Sequence, residues 1–188
     1  NGTPTSESLT SSISSLYNAH GCVLAPSGMA AITTGLMSVL RSNDHILVPD
    51  SVYGSTRRFV KEEFPRLNIQ FEFYNPRDLE HLESLIKDNT SAIYLESPGT
   101  YTFEIIDIQE VVKICKRYNL KSIIDNTWAT ALYFNPLEFG VDIVIEAITK
   151  YISGHSDIMM GAVVGNDNNF IALERWTRNS GTYVSPDD

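Results

Sequence analysis

The sequence predicts an α/β fold, a mainly parallel sheet with helices on both faces. Three observations predict it. Short apolar runs alternate with helical stretches of roughly ten residues along the whole chain, the pattern of successive βαβ units. The runs are near-continuous rather than alternating, as expected of strands covered on both sides. Small, acidic and hydroxyl residues collect where the runs end, and that edge is where open α/β sheets bind ligands.

In chain order, a Ser/Thr-rich start leads into a helix from about Ser6 to Tyr17. A short apolar run, Cys22–Ala25, is punctuated by Pro26-Ser27-Gly28, after which Met29–Leu40 carries apolar residues at helical spacing. His45–Val48 reads as a strand and Gly54–Phe64 as a helix. Ile69–Phe73 is a strand, Arg77–Asp88 a helix, and Ser91–Leu95 a strand closed by Ser97-Pro98-Gly99. Ile108–Tyr118 is a helix with Asp107 as its cap. Ser122–Ile124 is a strand ending at Asp125, and Val141–Ile148 and Met160–Val164 are two more. No repeat or linker divides the 188 residues, a length suited to one domain with its own core.

Composition bounds the function. At 43% hydrophobic and 20% charged residues the chain is globular. Its net charge of −9 argues against a sequence-independent nucleic-acid binder and against anionic membranes. A small anionic ligand stays open, because a few backbone N–H groups and one Lys can hold a phosphate. No apolar run approaches the ~20 residues of a membrane span. Cys22 and Cys115 sit in apolar stretches without metal-ligand spacing, so no metal site is expected and both read as buried free thiols in a reducing compartment.

The chemistry-bearing candidates lie at the strand ends. Lys150 follows the apolar run VDIVIEAIT. It is either a solvent-facing lysine or, if desolvated in a partly cationic site, one able to form a Schiff base with a carbonyl cofactor. The polar, aromatic, turn-forming residues Tyr151–Asp157 favour the second. Asp125 is equally suited to cap a helix and to pair, as a carboxylate kept charged by hydrogen bonds, with a pyridine nitrogen that it keeps protonated. Ser27-Gly28-Met29, between strand and helix, suits a phosphate through close backbone approach and free N–H groups, although many strand–helix turns share that chemistry. Tyr53 can stack on a planar ring or be a half-buried surface tyrosine. His155 reads as hydrogen-bonded within its loop, and His20, His45 and His81 as surface or capping residues.

The run Glu146-Ala147-Ile148-Thr149-Lys150-Tyr151-Ile152-Ser153-Gly154-His155-Ser156-Asp157 resembles the lysine signature of the Cys/Met-metabolism pyridoxal-phosphate enzymes. That family contains the cystathionine β- and γ-lyases, cystathionine γ-synthase and methionine γ-lyase. Four further segments match in order: Gly21–Ala30, Asp50–Tyr53, Leu95–Gly99 and Asp125–Thr130. The resemblance implies an aspartate-aminotransferase-like (type I) large domain, with a mainly parallel seven-stranded sheet in which Met160–Val164 is the antiparallel strand. It implies pyridoxal 5′-phosphate as cofactor. Lys150 would hold it and move substrate protons, Asp125 would pair with the ring nitrogen, and Tyr53 would stack on the ring and assist proton transfer. Gly28 and Met29 N–H groups and the Thr149 hydroxyl would hold the phosphate.

Within the family, Trp128 and the pair Glu146-Ala147 lean toward the β-lyases, since γ-acting members usually carry Phe and His-Ser there. The implied reaction is cleavage of the sulfur amino acid L-cystathionine to homocysteine, pyruvate and ammonia in methionine biosynthesis. A cytoplasmic homo-oligomer, dimer or tetramer, is implied with it. Family members also carry an N-terminal segment that reaches the neighbouring subunit and a C-terminal domain that binds the substrate carboxylate. The chain from Asn1 to Asp188 therefore reads as the cofactor-binding domain alone, a fragment expected to fold but to turn over little substrate. The alternatives are a γ-acting member and a non-catalytic remnant of the domain.

Overall fold

The computed structural model describes residues 2–185. The chain's two ends, on which the fragment reading rests, lie outside the described residues. The order is α1 (Pro4–Tyr17), β1 (Gly21–Ala25), α2 (Gly28–Val39), β2 (His45–Pro49), α3 (Gly54–Glu63), β3 (Gln70–Tyr74) and α4 (Leu79–Ser84). It continues through β4 (Thr90–Glu96), α5 (Ile108–Tyr118), β5 (Lys121–Asp125), α6 (Thr130–Tyr133), β6 (Ile143–Glu146), β7 (Gly161–Gly165) and α7 (Asp167–Ser180).

The strands form one seven-stranded sheet in the order β1-β7-β6-β5-β4-β2-β3. β7 runs antiparallel to both of its neighbours, β1 and β6, and every other pair is parallel. The expected α/β architecture with its single antiparallel strand is thus present.

Side chains alternate between two packed layers, because successive residues of a strand point to opposite faces. On one face, Ile13 and Tyr17 of α1 and Val111, Val112 and Cys115 of α5 lie in the same core as Leu95, Ile124 and Val144. On the other, Ala31, Ile32 and Leu36 of α2, Val60 of α3 and Leu173 of α7 share a core with Tyr94, Ile123, Ile145 and Val163. The helices bury apolar stripes while both strand faces are apolar, and this yields continuous runs instead of alternation. Both cysteines are free and buried. No helix among the described residues is long and apolar enough to cross a membrane.

Several boundaries depart from the sequence expectation for identifiable reasons. α4 is shorter than Arg77–Asp88 because Asp78 caps it, accepting from His81 N–H at 2.9 Å, and because Lys87 and Thr90 close a turn in which Lys87 N–H reaches Thr90 Oγ1 at 2.7 Å. β6 is shorter than Val141–Ile148. Asp142 turns its carboxylate back to Ser122 N–H at 3.0 Å, and Ala147 N–H goes to the Thr127 hydroxyl at 2.8 Å instead of to a ladder. Helix α7 is absent from the sequence reading. Its apolar stripe is thin, with Leu173 its one fully buried residue; the Phe170 ring lies over Gly21, where a Cβ would come within 2.4 Å of the ring. His45 is not a surface residue: it is fully buried in β2, with Nδ1 at 2.8 Å from Thr90 Oγ1. A central strand desolvates any side chain it carries, and Thr90 supplies the partner.

Candidate active site

The parallel strands β4, β5 and β6 end side by side at Glu96, Asp125 and Glu146. In the register, Glu96 is opposite Asp125 and Asp125 opposite Ile145. Glu96 and Asp125 therefore share the α2 face of the sheet, and Glu146 points to the other face. Burial pushes the Asp125 carboxyl above the usual carboxylate range. Two hydrogen bonds from Thr127 work in the opposite direction, one of them from its N–H at 3.0 Å. The sequence reading expected hydrogen bonds to keep this carboxylate charged; burial outweighs them. Glu96 is pushed up to about 7, first by burial and then by the Asp125 charge, against the pull of bonds from Thr100 and Tyr53.

A continuous series of contacts links the candidates. Tyr53, at the N-terminus of α3, donates its N–H to Glu96 Oε2 at 2.9 Å. Glu96 neighbours Asp125, and Asp125 is held by Thr127. Thr127 Oγ1 takes the N–H of Ala147 at 2.8 Å. Ala147 touches the phosphate-loop candidate, since a Cβ placed on Gly28 would lie 2.7 Å from the Ala147 Cβ. From Ala147 a turn leads to Lys150, whose N–H donates to Ala147 O at 3.0 Å. Tyr53, Asp125, Gly28, Ala147 and the Lys150 turn thus occupy one edge of the sheet.

Gly28 opens the twelve-residue helix α2. Ser27 caps it, with Oγ accepting from Ala30 N–H at 3.0 Å and its carbonyl accepting from Ala31 N–H at 3.0 Å. Helix geometry leaves the first N–H groups, those of Gly28 and Met29, without an intrahelical acceptor. They point out of the positive end of the helix dipole, an arrangement suited to an anion.

Two candidates sit differently from the sequence reading. Lys150 does not leave the strand directly; β6 stops at Glu146, and the lysine lies in the following turn, exposed and not desolvated. The Thr149 hydroxyl donates to Met160 O at 3.0 Å and accepts from Met160 N–H at 3.0 Å, which ties the turn to β7. Its one proton is spent there, so a phosphate bond from it would cost that tie. Tyr53 is 45% exposed, with its ring available. Trp128, 58% exposed, stands edge-on to Phe103 at 6.5 Å, on loops at the same end of the sheet. His155 is exposed and bonded within its loop, Nδ1 lying 2.5 Å from Ser153 O.

Glu96 and Thr127 were quoted in the sequence only as parts of motifs. Their polar position at a strand end was the one signal, and their partners come from elements distant in the chain.

The arrangement fits pyridoxal phosphate. A pyridinium nitrogen would pair with the buried Asp125, an anionic phosphate suits the Gly28–Met29 N–H groups, and Gly28, having no Cβ, lets Ala147 and its turn pack close to those N–H groups.

A family model for Cys/Met-metabolism pyridoxal-phosphate-dependent enzymes matches residues 1–188. A protein of Rhizobium johnstonii with the provisional name cystathionine beta-lyase is 42% identical over 187 residues, covering 100% of this chain and 47% of that one. The L-alanine/L-glutamate racemase of Wolbachia pipientis wMel is 36% identical over 187 residues, 100% of this chain and 46% of its own. The crystal structure of cystathionine gamma-lyase from Lactobacillus plantarum complexed with L-serine superposes with a TM-score of 0.95 at 34% identity, covering 99% of this chain and 49% of that one. The chain spans about half the length of the relatives it matches. It belongs to the Cys/Met-metabolism family of pyridoxal-phosphate-dependent enzymes.

Proposed function

We propose that these residues serve a carbon–sulfur lyase that cleaves L-cystathionine to homocysteine, pyruvate and ammonia. The observation that carries the proposal is the contact series from Tyr53 through Glu96, Asp125 and Thr127 to Ala147, with Gly28 and the Lys150 turn at its end. Bound pyridoxal phosphate supplies an electron sink for the pair left when a substrate Cα–H bond breaks. Asp125, as a carboxylate, would pair with the ring nitrogen and hold its proton there. The Gly28 and Met29 N–H groups would hold the phosphate, and Tyr53 would stack on the ring. Lys150, exposed on the turn after β6, would hold the cofactor and would take and return protons at the substrate carbon. The resemblance of Trp128 and Glu146-Ala147 to the β-lyases supports β- over γ-cleavage.

Relatives named as γ-lyases and as a racemase support a second reading, γ-cleavage or proton return on the same residues. Product analysis with cystathionine as substrate separates them. Pyruvate with homocysteine supports β-cleavage, and 2-oxobutyrate with cysteine overturns it in favour of γ-cleavage. Racemised alanine without sulfur release would overturn both lyase readings. The exposed Tyr53, Trp128, Tyr151 and Met159 around the site support a homo-oligomer and little turnover by the 188 residues alone, because an uncovered site admits water. Light scattering and the pyruvate rate of the purified chain test both.

A further inference from the structure

Behind the site, on the opposite face of the sheet, three buried polar side chains from three elements meet. Tyr17 closes α1 and is 1% exposed, Glu146 ends β6 at 2%, and Asn126 follows β5 at 0%. The Tyr17 hydroxyl donates to Glu146 Oε2 and accepts from Asn126 Nδ2 at 3.1 Å. Asn126 Nδ2 also donates to Phe134 O at 2.9 Å, and Asn126 N–H donates to Ile145 O at 2.9 Å. Asn135 fixes the helix end by donating to Tyr17 O at 2.9 Å.

Two of the three members are direct chain neighbours of site residues. Asn126 lies between Asp125 and Thr127, and Glu146 precedes Ala147. We propose that Glu146, bridged by Tyr17 to Asn126, is a positioning residue of the cofactor site, locking the ends of β5 and β6 so that Asp125 and the Ala147–Lys150 turn keep one relative geometry. The proposal rests on the reading that Asp125 and Lys150 hold pyridoxal phosphate.

The physical reason is that the two strand ends have few other ties. The ladder between β5 and β6 stops at Asp125 and Ile145. Beyond it, among the described residues, the strand ends are tied by Asn126 N–H to Ile145 O at 2.9 Å and by Ala147 N–H to the Thr127 hydroxyl at 2.8 Å. A desolvated polar network is stiff, because breaking one of its bonds leaves a buried group unpaired.

Glu146 also carries an electrostatic effect that a purely structural residue would not. Its carboxyl is pushed up to about 7, by burial first and by the Asp125 charge, with the Tyr17 bond pulling it down. The titratable groups on its own face are Tyr17 of α1 and Cys22 of β1, and Asp125 of β5 acts on it through its charge from the opposite face. Loss of its proton near neutral pH adds negative charge close to Asp125, and that charge favours the protonated forms of a bound pyridine ring.

Binding of pyridoxal phosphate, read from its visible absorbance and not from turnover, tests this. Tyr17→Phe removes only the bridging hydroxyl, and cofactor affinity should fall about tenfold. Glu146→Gln keeps an acceptor for Tyr17 and should hold affinity within about threefold. It should nevertheless lower the pH midpoint of the visible band by about half a unit or more, because the charge is gone. A parental midpoint in Glu146→Gln overturns the proposal, as does parental affinity in a folded Tyr17→Phe. If Tyr17→Phe does not fold, the Glu146→Gln midpoint decides alone. Lys150→Ala is the control: retention of the parental band there would overturn the site itself, a separate failure.

Discussion

Glu96 and Asp125 are register partners at the ends of adjacent parallel strands, with both carboxyl groups on the face where α2 presents its N-terminus. Each is desolvated, and the Asp125 charge raises Glu96 further. Two neighbouring buried acids, one of them raised by the other's charge, are a costly arrangement. A pyridinium between the strand ends and the helix would offset that cost.

Asp125→Asn keeps the shape and removes the charge. In the loaded enzyme, turnover should fall by orders of magnitude, because the ring nitrogen loses the group that keeps it protonated. A cystathionine assay alongside a cofactor titration checks this: phosphate-anchored binding should persist while the rate collapses. A parental rate would remove Asp125 from its role.

Lys150→Ala should abolish the visible band of the bound cofactor and the covalent adduct that borohydride fixes. Mass spectrometry of the reduced, digested protein locates the modified residue. An adduct found in the variant on the same peptide would contradict the assignment.

The apoprotein should lose stability as pH rises toward neutrality through these acids. Glu96 and Glu146 are each raised from 4.5 to about 7 on folding. Between those values the folded state binds more protons than the unfolded chain, so unfolding free energy falls with increasing pH. The stabilisation is full below about 4.5, is lost as pH passes through about 7, and amounts to at most ~3 kcal/mol per group. Urea denaturation across this range should show Glu96→Gln with a flatter profile than the parent. An unchanged slope would mean that Glu96 is not desolvated.

Gly28→Ala should weaken cofactor binding and cost about 1–3 kcal/mol, as overpacking does. Its new Cβ would lie 2.7 Å from the Ala147 Cβ. Ala147→Gly in the same chain removes the opposing atom and should recover part of the stability. Calorimetry on the three variants checks the coupling, and strict additivity would show that the two residues do not touch.

The order of strands and helices was legible in the sequence because the cores on both faces demand apolar runs, and local signals bound the elements. Asp107 capping α5 through Glu110 N–H is one such signal, read correctly from three residues. The positions of Tyr53, Gly28, Asp125 and Lys150 near strand ends were also legible, since polar residues interrupting apolar runs have few other places to be. What the sequence could not give was how those ends are joined. The bonds from Tyr53 to Glu96, from Thr127 to Ala147 and from Tyr17 to Glu146 link residues separated by 43, 20 and 129 positions. No local spacing encodes them. The same holds for His45, which reads as a surface histidine until β3 and β4 close over β2 and leave it Thr90 as a partner. Local chemistry determined which segments become strands and helices, and sheet register alone decided which acids become neighbours, because desolvation and charge coupling exist only after distant strands are side by side.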